Sequence, residues 1–592
     1  MYAIAGSAPQ VSGGMVQSKL PIVGEHSDVR FAKLACPPEL VNATFAVLME
    51  ESATVLKGKD GELPSASTNP DMPFAALAQQ VVSDSASGQQ EAAIWQLCST
   101  LFDHLETAVP DLHDFPEEHW DAFASRLRLD ALKAFWVKLV SADVDSALKR
   151  TKSAEEKAVL LLTRNDVSAA CDVLVAAKNF RLASVVAQLP ASAASRQVMQ
   201  RQIEAWQKRK DWSEMSDAVR ALYSIFAGNV CRVSGQSGAS EDRASEFCVA
   251  ERFAMTWRQS LGLRVYFGGH GTLEEAIEAY CADREAGRET MEPAGPHGSG
   301  GEDTLLTLCR LYASEAGDVD ASHLCEPTTV SGSALNPRVA WQLSSLACAK
   351  GLVVLPKDKL ASITLDLAAA LEASDKLVES AWVLLHLDGA ERQRAMSGLL
   401  QRNAHALADV EEQLVQECRI PPPMISAARS LHAKAVGDTH GQVQLLLRAG
   451  NLAEAHEVLC TTVGPQAVIE RDHDALALVG EFPRQRPAGW EKGGQIYEAY
   501  LRLALMSQGQ KQSEEGEKVV RALRRGLRGV EEAGMQGKTL EQRVAVLEMR
   551  RFVEQIAKAR GDGWRMGKVE DGGVGAGATM LEKYRSAVGL VL

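Results

Sequence analysis

The sequence predicts an all-α chain, an irregular α-helical solenoid with a short N-terminal β segment. Three observations lead there. From about residue 91, apolar residues recur at helical spacing, as in "AIWQLCSTLFDHL", where Ile94, Leu97, Leu101 and Leu105 form a stripe. β-branched alternation of the kind a sheet needs is nearly absent. Two distant stretches, "LLLTRNDVSAACDVLV" (160–175) and "LLLRAGNLAEAHEVLC" (445–460), also align without a gap. The three leucines coincide, Ala170 falls on Ala455, and Asn165-Asp166 falls on Gly450-Asn451.

The second of those stretches reads as a helical hairpin. Leu445–Ala449 end one helix, Gly450 supplies the reversal at low steric cost, and Leu452 to Leu459 form the next. Leu452, Ala455 and Leu459 share one face, and the small Ala455 permits close approach. One hairpin cannot bury its apolar face alone and must stack on neighbours. The two copies stand 285 residues apart with no fixed period, so the array is irregular.

Taken in order, residues 1–90 are an N-terminal extension. "GGMVQSKLPIV" (13–23) holds one candidate strand, Met15, Val16, Gln17, Ser18, Lys19 and Leu20. Residues 57–92 are rich in Ser, Gly, Asp and Pro and read as linker, with one short helix around 74–82. Helical patterns follow at 91–105, 123–140 and through "EKAVLLL", "VSAACDVLVAAK", "FRLASVVAQL" and "VMQRQIEAWQKR". Residues 283–304 read as an exposed loop. Helices resume over 304–314, 338–350, 359–387 and 419–435, the last behind three prolines that a helix start tolerates. The tail carries helices at 494–508, 511–533 and 538–560, a Gly-rich break, and a last helix at 578–590.

Composition narrows function. The chain has 592 residues, 46% apolar and 24% charged, so its bulk is globular. Its net charge is −14. A general nucleic-acid binder needs a basic face to displace phosphate counterions, so an acidic protein-binding chain fits better. No apolar run of membrane-spanning length occurs, and the N-terminus lacks the basic and apolar regions of a signal peptide. The 11 cysteines form no C-x-x-C pair. Cys98, Cys171 and Cys348 sit in helical patterns, where a reduced thiol packs as a small apolar group.

No catalytic, cofactor or metal site is predicted. "GGHG" (268–271) lacks the Lys-Ser/Thr of a phosphate loop and reads as a turn. "AHEVLC" is not H-E-x-x-H, and "ERDHD" around His473 reads as a solvated turn. His386 in "AWVLLHL" reads as a satisfied core histidine. The basic runs "QKRK" (207–210) and "RALRRGLRG" (521–529) read as solvated helix faces, since no aromatic interleaving supports base stacking.

Several segments, in order, resemble a known family. They are "IWQLCSTLFDHL" (94–105), "VSAACDVLVAAKNFRLASVVAQL" (167–189), "WRQSLGLRVYF" (257–267) and "HLCEPTTVSGSALNPRVAWQL" (323–343). "ESAWVLLHLDGAERQRAMSGLLQRNA" (379–404), "IPPPMISAARSLHAKAVGD" (420–438) and "LLLRAGNLAEAHEVLCTTVGPQAVIERDHDAL" (445–476) continue the series. Together they resemble the nuclear protein 96 family of scaffold nucleoporins over about 91–505, some 70% of the chain. Val265-Tyr266 stands where the family has Trp-Tyr. The family's Gly- and Trp-containing strand motif upstream of the solenoid is not visible.

The resemblance implies a solenoid folded back on itself, the ancestral coatomer element. Residues 91–450 would form trunk and crown, the crown about 151–315, and 451–592 the tail. It implies a structural constituent of the nuclear pore complex at the nuclear envelope, within the Y-shaped outer-ring coat, supporting pore assembly and transport of protein and mRNA. The implied partners are a WD-repeat propeller shared with the COPII coat, bound through Met15–Leu20, and other helical nucleoporins of the Y-shaped complex. Direct nucleic-acid contact and membrane insertion are not implied. The alternative is a coat-type helical solenoid of the secretory pathway.

Overall fold

The computed structural model describes residues 2–5, 11–12, 15–16, 30–33, 40–51, 53–55, 62–81, 86–104, 120–295, 301–315, 317–532, 534 and 538–559. The chain divides into two compact units, Met1–Val55 with Ala66–Leu387, and Leu56–Ser65 with Asp388–Leu592. Both are helical.

In the first unit the helices used below are α1 (Ala43–Glu51), α2 (Phe74–Ala78), α3 (Ala86–Phe102), α4 (Trp120–Arg150) and α5 (Ala154–Leu162). They continue as α6 (Val167–Ala176), α7 (Phe180–Val186), α8 (Ala193–Arg209), α9 (Asp217–Phe226) and α10 (Trp257–Phe267). The unit closes with α11 (Leu273–Glu285), α12 (Thr304–Ala313), α13 (Arg338–Ala349), α14 (Lys357–Ala373) and α15 (Leu377–Leu384). Polar side chains start many of them. Ser153, Asp166, Asn179, Ser192, Ser216, Thr256, Thr272 and Asp303 each accept a backbone N–H of the first turn. Those N–H groups have no partner within the helix, which is why such residues punctuate the sequence here.

The short helix expected around 74–82 is α2, and the residues about it are packed. Phe45 and Leu48 of α1 are wholly buried, and Met72, Phe74 and Leu77 are nearly so. Phe45 meets Trp382 edge-on at 5.6 Å between ring centres. Asp103 accepts the N–H groups of Phe74 and Ala75, both at 2.8 Å, and so caps α2 from the end of α3. The Ser- and Pro-rich composition marks tight turns between packed pieces here. The strand content also differs from a single strand. Strands β1 (Tyr2–Ala5) and β4 (Arg30–Lys33) pair antiparallel, and β2 (Val11–Ser12) pairs with β3 (Met15–Val16). A further antiparallel pair, β5 (Arg232–Val233) with β6 (Phe247–Cys248), sits between α9 and α10.

One expected helix, 359–387, is two. Asp375 adopts φ +59, which stops α14, and the Lys376 N–H bonds back to the Leu371 carbonyl at 3.0 Å. Asp tolerates that left-handed conformation better than most residues.

In the second unit α16 (Gly389–Arg402), α17 (Leu407–Gln416), α18 (Pro422–Val436), α19 (Thr439–Ala449) and α20 (Leu452–Val458) come first. A π turn, Leu459–Val463, leads to α21 (Gly464–Glu470), then α22 (Gly494–Leu505), α23 (Glu514–Glu532) and α24 (Leu540–Ala559). A core of Val443, Leu446, Ala455, Leu459, Leu503, Leu523, Leu527 and Val553 joins the helices from α19 onward. The expected last helix at 578–590 lies outside the described residues.

The hairpin reading holds in detail. Gly450 ends α19 at φ +79, and Ala455 and Leu459 are wholly buried. At the aligned position Asn165 sits at φ +62, and Asp166 caps α6.

Candidate interaction surfaces

α6 and α7 form a hairpin whose inward stripe is Ala170, Leu174, Leu182, Ala183 and Val186. Asn179 in its turn is tied to α5, its Nδ2 donating to Glu155 Oε1 at 3.5 Å. The hydrogen bond from Ser153 is the chief reason the Glu155 carboxyl is held below its ordinary value. The hairpin's turn is not covered. Val175 is 46% and Phe180 61% exposed, and Val198 on α8 is 65% exposed. An exposed aromatic and an exposed valine thus flank the hairpin's turn, an apolar surface available to a partner.

The frame carrying this surface is rigid. Every residue of α10 except Arg258 is buried. Gly262 lets it cross α4: a Cβ there would stand 3.1 Å from Trp136 Cδ1 and 3.2 Å from the Thr163 carbonyl. Trp136 Nε1 donates to the Arg258 carbonyl at 2.7 Å. Val265 and Tyr266, at the family's Trp-Tyr place, are both buried. Arg264 is buried beside α11, bonded to Asp283 at 2.8 Å and to Glu289 at 3.2 Å, with its guanidinium 4.9 Å from the Tyr280 ring centre. Burial alone would raise the Asp283 carboxyl, but hydrogen bonds from Arg264 and Arg288 outweigh it and hold Asp283 below the usual carboxylate range. Arg258 and Asp303 make a second pair at 2.6 Å. Sequence reading missed both pairs, because isolated Arg and Asp residues carry no periodic signal.

The candidate partner strand is partly described. Met15 and Val16 form β3, facing Ser12 and Val11 across a two-stranded ribbon. Gln17, Ser18, Lys19 and Leu20 lie outside the described residues. Met15–Val16 is therefore one arm of a hairpin rather than a lone strand, and a two-stranded ribbon keeps an outer edge on each arm.

Other singled-out residues have structural roles. "GGHG" is a turn after α10, with Gly269 at φ +78. In "ERDHD", Asp472 caps the short helix His473–Leu476. His386 packs edge-on against Trp341 and Trp382, with Nδ1 3.2 Å from the Trp382 carbonyl and no partner on Nε2. It is a core histidine satisfied on one nitrogen only. The "QKRK" run ends α8, where Lys210 pairs with Asp242 and Arg209 with Asp211. The described cysteines are free thiols. Among the described residues no His/Cys/Asp/Glu group could hold a metal ion, and no helix is long and apolar enough to cross a membrane.

Residues 156–432 match the family described as Nuclear protein 96. Over that span the chain is similar to the nuclear protein 96 family. The match runs from α5 to α18 and so contains the α6–α7 hairpin and the α10 frame. The relatives agree. Nucleoporin NUP145 of Chaetomium thermophilum is 29% identical over 395 residues, 64% of this chain and 21% of the relative. Nucleoporin nup189 of Schizosaccharomyces pombe is 28% identical over 443 residues, 70% of this chain and 24% of the relative. Nuclear pore complex protein Nup98-Nup96 of Drosophila melanogaster is 25% identical over 437 residues, 70% of this chain and 21% of the relative. The chain thus spans less than a quarter of the length of these relatives. The chain is thus similar to nucleoporins of the nuclear pore complex over most of its own length.

Proposed function

We propose that the chain is a scaffold element of the Y-shaped outer-ring coat, setting distances between partners and thereby supporting pore assembly and transport of protein and mRNA. In this reading residues 91–450 act as trunk and crown, with the crown at about 151–315, and 451–592 as tail. The observation that carries it is the uncovered Val175–Phe180 turn on an otherwise well-packed crown hairpin. That surface suits the apolar centre of a contact with another helical nucleoporin, where aromatic anchors contribute most. The N-terminal ribbon would bind a WD-repeat propeller shared with the COPII coat by β-augmentation. An open blade gains backbone partners from Met15–Leu20, and the strand edge loses its unpaired N–H and C=O groups.

Co-purification tests both contacts. The full chain, a chain lacking residues 1–30 and a Phe180→Asp variant are each mixed with the host's coat-type propeller and with its helical pore nucleoporins. The propeller is expected to co-elute with all but the truncated chain, and one helical nucleoporin with all but Phe180→Asp. Unchanged elution of both variants with both partners overturns this assignment of contacts.

A further inference from the structure

The tail carries a cationic cleft that the scaffold reading does not use. On α23 the buried stripe is Val520, Leu523, Leu527 and Val530. Opposite it, at helical spacing, run Lys518, Arg521, Arg525 and Arg528, all exposed. The first two are neutralised within the helix, Lys518 by Glu514 at 3.1 Å and Arg521 by Glu517 at 2.9 Å. Arg525 and Arg528 have no acidic partner within salt-bridge reach among the described residues.

Arg525 borders a cleft of about 270 Å³ between α23 and the start of α22, lined also by Glu491, Lys492, Gln495, Ile496, Ala522, Gly526 and Gly529. Lys492 is exposed and makes no ion pair among the described residues. Gly526 packs on Ile496, where a Cβ would stand 2.6 Å from Cγ1. Gly529 faces open space, with nothing within 4 Å of its Cβ position, so an extended backbone can lie against the helix there. Glu491 is the one carboxylate on the lining.

Lys492 and Arg525 line the same cleft and neither has an ion-pair partner among the described residues, which favours an anionic occupant. No exposed aromatic lines the cleft for base stacking, which disfavours single-stranded RNA. From the cleft lined by Lys492, Arg525 and Gly529 we infer that the tail binds an acidic peptide segment, its carboxylates or a phosphate held between Arg525 and Lys492. The inference does not depend on the crown or propeller contacts.

The test is fluorescence anisotropy on the full chain. The probes are a labelled phosphoserine peptide flanked by Asp and Glu, the same peptide unphosphorylated, its lysine counterpart, and a mixed-sequence single-stranded RNA. At least one acidic peptide is expected to bind in a salt-sensitive manner and the lysine peptide not at all. Arg525→Glu should weaken binding at least tenfold. Gly529→Leu should do so as well, although it changes no charge, because it fills the cleft. Both positions are on the outer side of α23, so circular dichroism should match the parent. Acidic-peptide binding that Arg525→Glu and Gly529→Leu leave unchanged overturns the inference. So does RNA binding tighter than either acidic peptide.

Discussion

Arg338 and Glu91 stand 247 positions apart in the chain and meet in a buried two-pronged ion pair, with both N–H···O distances at 2.7 Å. Arg338 Nη1 also donates to Thr44 Oγ1 at 2.7 Å and Gln342 Oε1 at 3.1 Å, and Trp95 Nε1 donates to Glu91 at 3.3 Å. One guanidinium thus fastens α1 and α3 to α13. A planar fork suits this role where a lysine ammonium would not.

Glu91→Gln should cost about 3–5 kcal/mol, because it leaves a buried cation without its counter-charge. A Glu91→Leu, Arg338→Met double variant should recover much of that. The chain has two units, so a single melting curve is not a two-state measurement. Hydrogen exchange of the α3 and α13 amides gives the local value. Equal protection in the parent and Glu91→Gln would remove the pair from the account of first-unit stability.

His386 sets a pH dependence. Burial pushes its ring down to about 4, below the ordinary histidine value of 6.5. The folded state therefore holds it neutral, while the unfolded chain takes up a proton as pH falls below about 6.5. Its contribution is fully present above that pH and is lost on acidification towards 4. The loss is about 2 kcal/mol by pH 5. The unpartnered Nε2 between Trp341 and Trp382 makes the site tolerant of an aromatic replacement. His386→Phe should flatten the decline of first-unit stability between pH 7 and pH 5, read by tryptophan fluorescence during urea unfolding. A parallel decline in both proteins would assign the acid sensitivity elsewhere.

Gly262 is where α10 and α4 touch. A methyl group there meets Trp136 and the Thr163 carbonyl at distances tighter than ordinary packing. Gly262→Ala should cost about 1–3 kcal/mol through displaced packing, and Gly262→Val more. Exchange protection lost in α4 and α10 together would confirm the crossing. Loss confined to α10 would point to local helix effects.

How far these features could be read in the sequence follows the range of the physics involved. Helices α5 to α8 declare themselves through apolar spacing and through Asp166, Asn179 and Ser192, each acting within a turn of its own position. The Arg338–Glu91 and Arg264–Glu289 pairs are invisible because each partner comes from a different element and neither residue repeats. Phe45 and Phe74 were hidden differently. They sit in short helices, and only tertiary contact shows them to be core. Exposure at Phe180 is likewise a property of the packed hairpin, since the residue has the same apolar character as its buried neighbours.

The two aligned hairpins provide the sharpest comparison of sequence with backbone. Gly450 at φ +79 and Asn165 at φ +62 solve the same reversal with different side chains. Asn is the residue that tolerates this region best after glycine, so Gly450→Asn should be within about 0.5 kcal/mol of the parent. A β-branched residue has no such tolerance, and Gly450→Val should cost about 1–2 kcal/mol. Nothing lies within 4 Å of the Cβ position at Gly450, so backbone strain is the whole of the expected effect. Hydrogen exchange of α19 and α20 measures it, with the amides of α5 and α6 as an internal reference in the other unit. If Gly450→Val proves as stable as Gly450→Asn, the turn has relaxed out of the left-handed conformation and the equivalence of the two hairpins does not extend to their backbones.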